Sequence, residues 1–88
     1  MLELISERKF KKDLKLVKRR KHNLEQFFKI ITALQNERPL SSKVSNHKLK
    51  GNFKDCWECH VESDWLLIYK KTSTAIILIR TGTHADLF

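Results

Sequence analysis

The stretch CWECHVESDWLLIYKKTSTAIILIRT, residues 56–81, decides the fold of this chain. Aromatic and β-branched side chains dominate it, and two polar breaks, Glu62-Ser63-Asp64 and Lys71-Thr72-Ser73, divide it into runs of strand length. The predicted strands cover Cys56–Glu62, Trp65–Lys71 and Ala75–Thr81. Joined by such brief turns, they form an antiparallel meander.

Upstream of the meander the texture changes. Leu24, Phe27, Phe28, Ile31 and Leu34 make a broad apolar stripe at helical spacing behind Asn23, with Gln26 three residues on as a capping signal. That helix is expected to end near residues 35–37, with Pro39 and Ser41-Ser42 marking the exit and a loop running to Asn46. An earlier helix is predicted from Ser6, its N-cap, to about Arg20 or Lys21, although Lys9 stands where a capping box would place an acid. Phe10, Leu14 and Val17 form its core stripe, while Lys11, Lys12, Lys15, Lys18, Arg19, Arg20 and Lys21 make the remainder cationic. Leu2–Ile5 reads as a short first strand with Leu2 and Leu4 on one side. The order β-α-α-β-β-β implies an α+β fold, a two-helix hairpin on one face of a small, mainly antiparallel sheet with the other face open. No repeat or internal boundary interrupts residues 1–88, which are expected to form one domain.

The chain carries 18 Lys and Arg against 10 Asp and Glu, a formal charge of +8. Such an excess favours polyanionic partners, and nucleic acid over membrane, because the longest apolar runs, Trp65–Tyr69 and Ala75–Ile79, fall far short of a bilayer span. Met1-Leu2-Glu3-Leu4 does not resemble a secretory signal, so a cytoplasmic protein is expected. Cys56-x-x-Cys59 raises redox or zinc chemistry, yet no second Cys or Cys/His pair stands at finger spacing. Three residues apart on a strand, the two sulfurs should point to opposite faces as ordinary reduced thiols.

The C-terminal half is dense in groups that titrate. His47, His60 and His84 lie there with Glu58, Glu62, Asp64 and Arg80, while His22 sits between the helices. Metal-free RNA cleavage needs a base for the ribose 2′-hydroxyl, an acid for the departing 5′-oxygen and a cation on the phosphorane. Imidazoles serve either proton role near neutral pH, and a guanidinium carries permanent planar charge. Trp65 and Phe88 offer rings to an unstacked base, and Lys50 and Lys54 offer charge to its phosphates. No H-x-x-x-H, D-x-D or H-E-x-x-H is present, and the cationic excess opposes a bound metal, so neither metal nor cofactor is expected. Gly51 and Gly82 do not build a phosphate-binding loop.

Three ordered blocks carry a resemblance: His47-x-Leu49-x-Gly51; Glu58-Cys59-His60-Val61-Glu62-x-Asp64-Trp65-x-Leu67-Ile68-Tyr69; and Arg80-Thr81-Gly82-Thr83-His84-x-x-Leu87-Phe88. They span about half the chain, and the pattern resembles the YafQ-type messenger-RNA interferases of the RelE/ParE toxin superfamily. The resemblance implies a RelE-like microbial RNase fold and metal-independent cleavage of messenger RNA, typically on the ribosome. It also implies a monomer when free, a hetero-oligomer with a cognate antitoxin, and contact with operator DNA only through that antitoxin. By position, His47, His60, Asp64 and His84 match the family's acid and base residues and Arg80 its phosphate-stabilising arginine. Trp65 and Phe88 match positions near the substrate. On this reading His84 is the general acid, and His47 or His60 stands with Asp64 on the base side. Ser63 departs from the family, where Pro is frequent, which implies a looser turn before Asp64.

Two other functions fit parts of the pattern. A ParE-like gyrase inhibitor would share the fold without needing the histidines. A non-catalytic RNA-binding protein would use the basic helices for salt-dependent, sequence-blind phosphate contacts, whereas the same charges on a merely solvated face would only keep the chain soluble.

Overall fold

The computed structural model describes residues 1–20 and 23–88. Five strands form one mixed sheet in the order β1-β5-β4-β3-β2, with β1 Glu3–Ser6, β2 His47–Lys48, β3 Trp57–Glu62, β4 Trp65–Lys71 and β5 Ala75–Gly82. The helices are α1 Arg8–Arg19, α2 Leu24–Gln35 and α3 His84–Leu87. The meander β3-β4-β5 is antiparallel as its turns require, and its bounds lie within one residue of those expected.

The first strand departs from expectation. It begins one residue later and pairs in parallel with β5, Glu3 opposite Ala75 and Ser6 opposite Leu78. The Glu7 N–H continues the ladder to the Leu78 carbonyl, so the sheet holds Ser6 and the N-cap of α1 falls to Glu7, which makes no side-chain cap. Leu4 and Ile5 are exposed on this edge, and Leu2 alone enters the core. Asn23 caps α2 as predicted, its side chain accepting from the Glu25 N–H. Within the α2 stripe Phe28 lies 48% exposed, while Ile30, absent from the expected stripe, is buried. Lys21 and His22 lie outside the described residues.

Alternation along the strands separates two apolar clusters. Toward the helices lie Cys59, Val61, Trp65, Leu67, Tyr69, Ile76 and Leu78, against Phe10 and Val17 of α1 and Phe27, Ile30, Ile31 and Leu34 of α2. Phe27 stacks between Trp65 and Phe10, with ring centroids 5.2 and 6.1 Å apart. The opposite face is not open, as the sequence suggested, but carries a smaller cluster of Cys56, Leu66, Ile68 and Leu87, with Leu49, Phe53 and Ile79 against it. Two elements too short to announce themselves cover it: the segment from β2 through the 3₁₀ turn Gly51–Phe53, and α3. Cys56 and Cys59 belong to opposite clusters, both as free thiols, and burial holds Cys59 up at about 12. The expected divergence of the two sulfurs is what the structure displays.

Candidate active site

Register brings the polar residues of the second face into rows. Across the sheet His47 pairs with Glu58, Glu58 with Ile68, and Ile68 with Arg80, so all four side chains share that face. The next row along the strands is His60, Leu66 and Gly82, and His84 follows Gly82 by two residues. Leu66 and Ile68 thus make an apolar floor, with His47 and His60 on one margin and Arg80 and His84 on the other.

The imidazoles form a chain. Ring centroids are 6.5 Å apart from His47 to His60, 5.8 Å from His60 to His84 and 6.5 Å from His84 to Phe88, and Phe88 meets Phe53 edge-on at 5.5 Å. Glu58, only 6% exposed, turns Oε1 toward Nε2 of both His60 at 3.3 Å and His47 at 3.5 Å. A carboxylate only accepts, so an imidazole nitrogen bonded to it carries the proton. His47 in addition directs Nδ1 at the Ser45 carbonyl, 2.8 Å away, which engages both of its ring nitrogens. His60 commits only Nε2 to Glu58 and keeps Nδ1 for another partner.

His84 is held differently. Oδ1 of Asp64 accepts from the His84 backbone N–H at 3.1 Å and pairs with Nδ1 at 2.7 Å, which fixes the tautomer and turns Nε2 outward. The same bonds lower the Asp64 carboxyl below its usual range, the His84 side-chain bond being the largest cause. A capping box secures the short helix beneath: Thr83 accepts from the Asp86 N–H, and Asp86 accepts from the Thr83 N–H. Arg20, the C-cap of α1, reaches Asp86 at 2.7 Å, and this bond, ahead of the backbone bond from Thr83, holds the Asp86 carboxyl down to about 2. Gly82, at φ +154°, has no room for a side chain, since a Cβ there would lie 2.9 Å from Oδ2 of Asp86.

Arg80 lies on the expected face but is anchored. Its Nε and Nη2 donate to Asp13 of α1 at 2.6 and 3.1 Å, and the Thr81 N–H donates to the same carboxylate. Asp13 raises the guanidinium further above its usual value. The side chain stays 22% exposed.

Of the expected site residues, His47, His60, Asp64, Arg80, His84 and Phe88 converge on this face. Asp64 is nevertheless the partner of His84 and not of the base-side histidines; that side has Glu58, because the β3-β4 turn delivers Asp64 to the end of β5. Trp65 is a correction. It is fully buried on the helix side, stacked on Phe27, with Nε1 donating to Oγ1 of Thr81 at 2.8 Å. As the first residue of β4 it shares the helix-side face with Leu67 and Tyr69 and has no access to a substrate. Lys50 and Lys54 are both exposed, and Lys54 lines a groove that opens beside Arg80. Sequence reasoning left out Asp13, Phe53 and the pairing role of Glu58. Only Glu58 carried a signal, as an acid two residues from His60 on the face that the meander's alternation assigns to it. Among the described residues, no group of three His, Cys, Asp or Glu side chains is arranged to hold a metal ion.

Residues 2–88 match the family model described as the bacterial toxin of type II toxin-antitoxin system, YafQ. Over 80 residues, 90% of this chain and 87% of the relative, the sequence is 40% identical to the mRNA interferase toxin YafQ of Escherichia coli K12. The fold is similar to the toxin in the crystal structure of the E. coli DinJ-YafQ toxin-antitoxin complex, at a TM-score of 0.91 and 36% identity, with 99% of this chain and 97% of that chain covered. It is also similar to a metal-bound toxin from Helicobacter pylori, at a TM-score of 0.93 and 38% identity, with both chains covered completely.

Proposed function

From the premise that this chain belongs to the YafQ family of toxins from bacterial type II toxin-antitoxin systems, and is an mRNA interferase, we propose a mechanism in which two imidazoles on one sheet face carry the proton transfers. His60 takes the proton from the ribose 2′-hydroxyl through Nδ1 while Glu58 holds its Nε2–H. The 2′-oxygen attacks the adjacent phosphorus, and the P–O5′ bond breaks. His84, oriented by Asp64, donates from Nε2 to the departing 5′-oxygen. The products are a 2′,3′-cyclic phosphate, open to hydrolysis to the 3′-phosphate, and a 5′-hydroxyl. Arg80 spreads its remaining donors toward the phosphorane oxygens, with Asp13 fixing the plane of the guanidinium. His47, held by Ser45 and Glu58, flanks the base, and Phe88 gives an exposed ring for a displaced base.

One observation carries this reading: His60 and His84 stand 5.8 Å apart, each backed by its own carboxylate. Two separately oriented imidazoles suit a base and an acid acting in one turnover, and a gyrase-binding or purely RNA-binding protein has no use for them. The proposal extends to the setting: a cytoplasmic toxin whose residues 1–88 act as one domain on messenger RNA, with the ribosome presenting the substrate. The free chain is a monomer and is neutralised in a hetero-oligomer with its cognate antitoxin, through which alone it meets operator DNA; the relative in the DinJ-YafQ complex supports the antitoxin contact.

The test is to induce the chain with and without the neighbouring open reading frame and to map 5′-ends of messenger RNA. New 5′-hydroxyl ends are expected only without that frame, and at least about 10²-fold fewer with His84→Ala. Equal cleavage by His84→Ala removes the proposed mechanism.

A further inference from the structure

Beside Arg80, on the same face of the sheet, a groove of about 680 Å³ runs away from the histidines. Arg8 and Lys9 at the start of α1 line one side, Phe53 and Lys54 the other, and Lys70 of β4 rises from the floor. Their charge is uneven: four exposed cations face one carboxylate, Glu7, before Arg80 at the mouth is counted. The mechanism above uses none of these four cations.

Position relates the groove to the reaction. Lys70 stands two residues beyond Ile68 on β4, so it lies one row, about 7 Å, past the row of Glu58, Ile68 and Arg80. Phe53, which borders the groove, touches Phe88, and Phe88 in turn approaches His84. Bounded by β5 and α1 on one side and by the segment between β2 and β3 on the other, the groove reaches the acid through the Phe53–Phe88–His84 ring contacts, while His47 and His60 stand on β2 and β3. In this reaction the base serves the nucleotide that keeps its 2′-oxygen, and the acid serves the 5′-oxygen of the nucleotide that leaves.

Resting on the nuclease reading, we infer that this groove seats the RNA strand on the 3′ side of the cleaved bond. Lys54, Lys70 and Arg8 hold its phosphates, and Phe53 presents a ring to the first or second base beyond the cut. Charge without base-edge donors makes this a subsite for strand length and polarity and not for sequence.

Chimeric oligonucleotides with a single 2′-hydroxyl, all other riboses being 2′-O-methylated, confine cleavage to one bond and can carry one or three nucleotides on either side. For the wild type, lengthening the 3′ side from one to three nucleotides is expected to raise kcat/KM by about tenfold or more. In the Lys54→Gln/Lys70→Gln variant, the ratio of long to short 3′ arms should collapse to less than about twofold, while the ratio for 5′ arms is retained. A 3′ gain that survives the double variant, or a loss confined to the 5′ arm, overturns the inference. A second readout stands apart from catalysis: fully 2′-O-methylated strands bearing 4-thiouridine at one end are crosslinked to the wild type and the attached peptide is identified. The 3′-terminal label should attach to the peptide containing Phe53 and Lys54. If no chimera is cut, whether free or presented on ribosomes, and that crosslink forms, the groove stands and the nuclease reading falls; no crosslink there, or one from the 5′-terminal label only, sinks the groove.

Discussion

The two faces of the sheet use the same strands for opposite ends. On the helix side, Trp65, Phe27 and Phe10 stack into a dry column that two twelve-residue helices cover. On the other side, the cover is a four-residue helix and an irregular segment, and the margin is histidine, carboxylate and guanidinium. Neighbouring residues belong to different faces: Cys59 and His60, Leu66 and Leu67, Arg80 and Thr81. Stability and chemistry are thus interleaved along the chain at a period of two, and a substitution at one position should leave its neighbour's role standing.

The largest expected effects test that separation directly. His60→Ala should lower cleavage by about 10²–10⁴-fold, measured as kcat on a defined RNA, with the melting temperature little changed, because the side chain lies at the rim of the smaller cluster. Trp65→Ala should do the reverse, costing about 3–5 kcal/mol in denaturant unfolding through the cavity left under Phe27 and the bond lost to Thr81. If His60→Ala unfolds the chain, or if Trp65→Ala remains stable yet inactive, the division of labour between the faces is wrong.

Smaller effects sharpen the picture of how the rim is held. Glu58→Gln keeps the shape but removes the charge that two imidazoles share, and should reduce kcat by about 10–100-fold, the worth of a charged hydrogen bond. Gly82→Ala adds a Cβ where φ is +154° and Oδ2 of Asp86 lies 2.9 Å away, so α3 must shift. A loss of about 1–2 kcal/mol is expected, with movement of the His84 and Phe88 side-chain NMR signals and no change in those of Trp65.

The smallest effect concerns acid. The Asp86 carboxyl is depressed to about 2 in the folded chain, first by Arg20 and then by the Thr83 backbone. A group whose folded value lies below its unfolded value stabilises fully above the unfolded one. Its contribution therefore persists down to about pH 4 and fades as pH falls toward 2. Equilibrium unfolding of Asp86→Asn should show a shallower pH slope across that window than the wild type; equal slopes would mean that the capping box and Arg20 contribute nothing to it.

Much of this organisation was legible in the residues. The meander followed from β-branched runs and two polar breaks, α2 from Asn23 and its stripe, and the histidine-rich C-terminal half from chemical type alone. Strand alternation even separated Cys56 from Cys59. The same rule run back along β4 from Tyr69 and Leu67 would have placed the Trp65 indole in the core, but an aromatic beside an acid reads as easily as a stacking platform. β2 and α3 stayed hidden because a two-residue strand and a four-residue helix have no periodicity to detect. Their positions come instead from Ser45 in the left-handed region at φ 48° and from the Thr83/Asp86 box.

What the sequence determined by itself is the local and the averaged: strand and helix type, the positive charge, the kinds of group available for RNA cleavage, and the family. Tertiary structure alone decided the partnerships. Asp64 went to His84 and Glu58 to His47 and His60, Asp13 reached across from α1 to Arg80, and β1 chose β5. Hydrophobic period is written residue by residue, because each side chain's burial depends on its place in its own element. A hydrogen bond between residues 20 to 67 apart depends instead on where two elements come to rest, and that is set by the packing of the whole core.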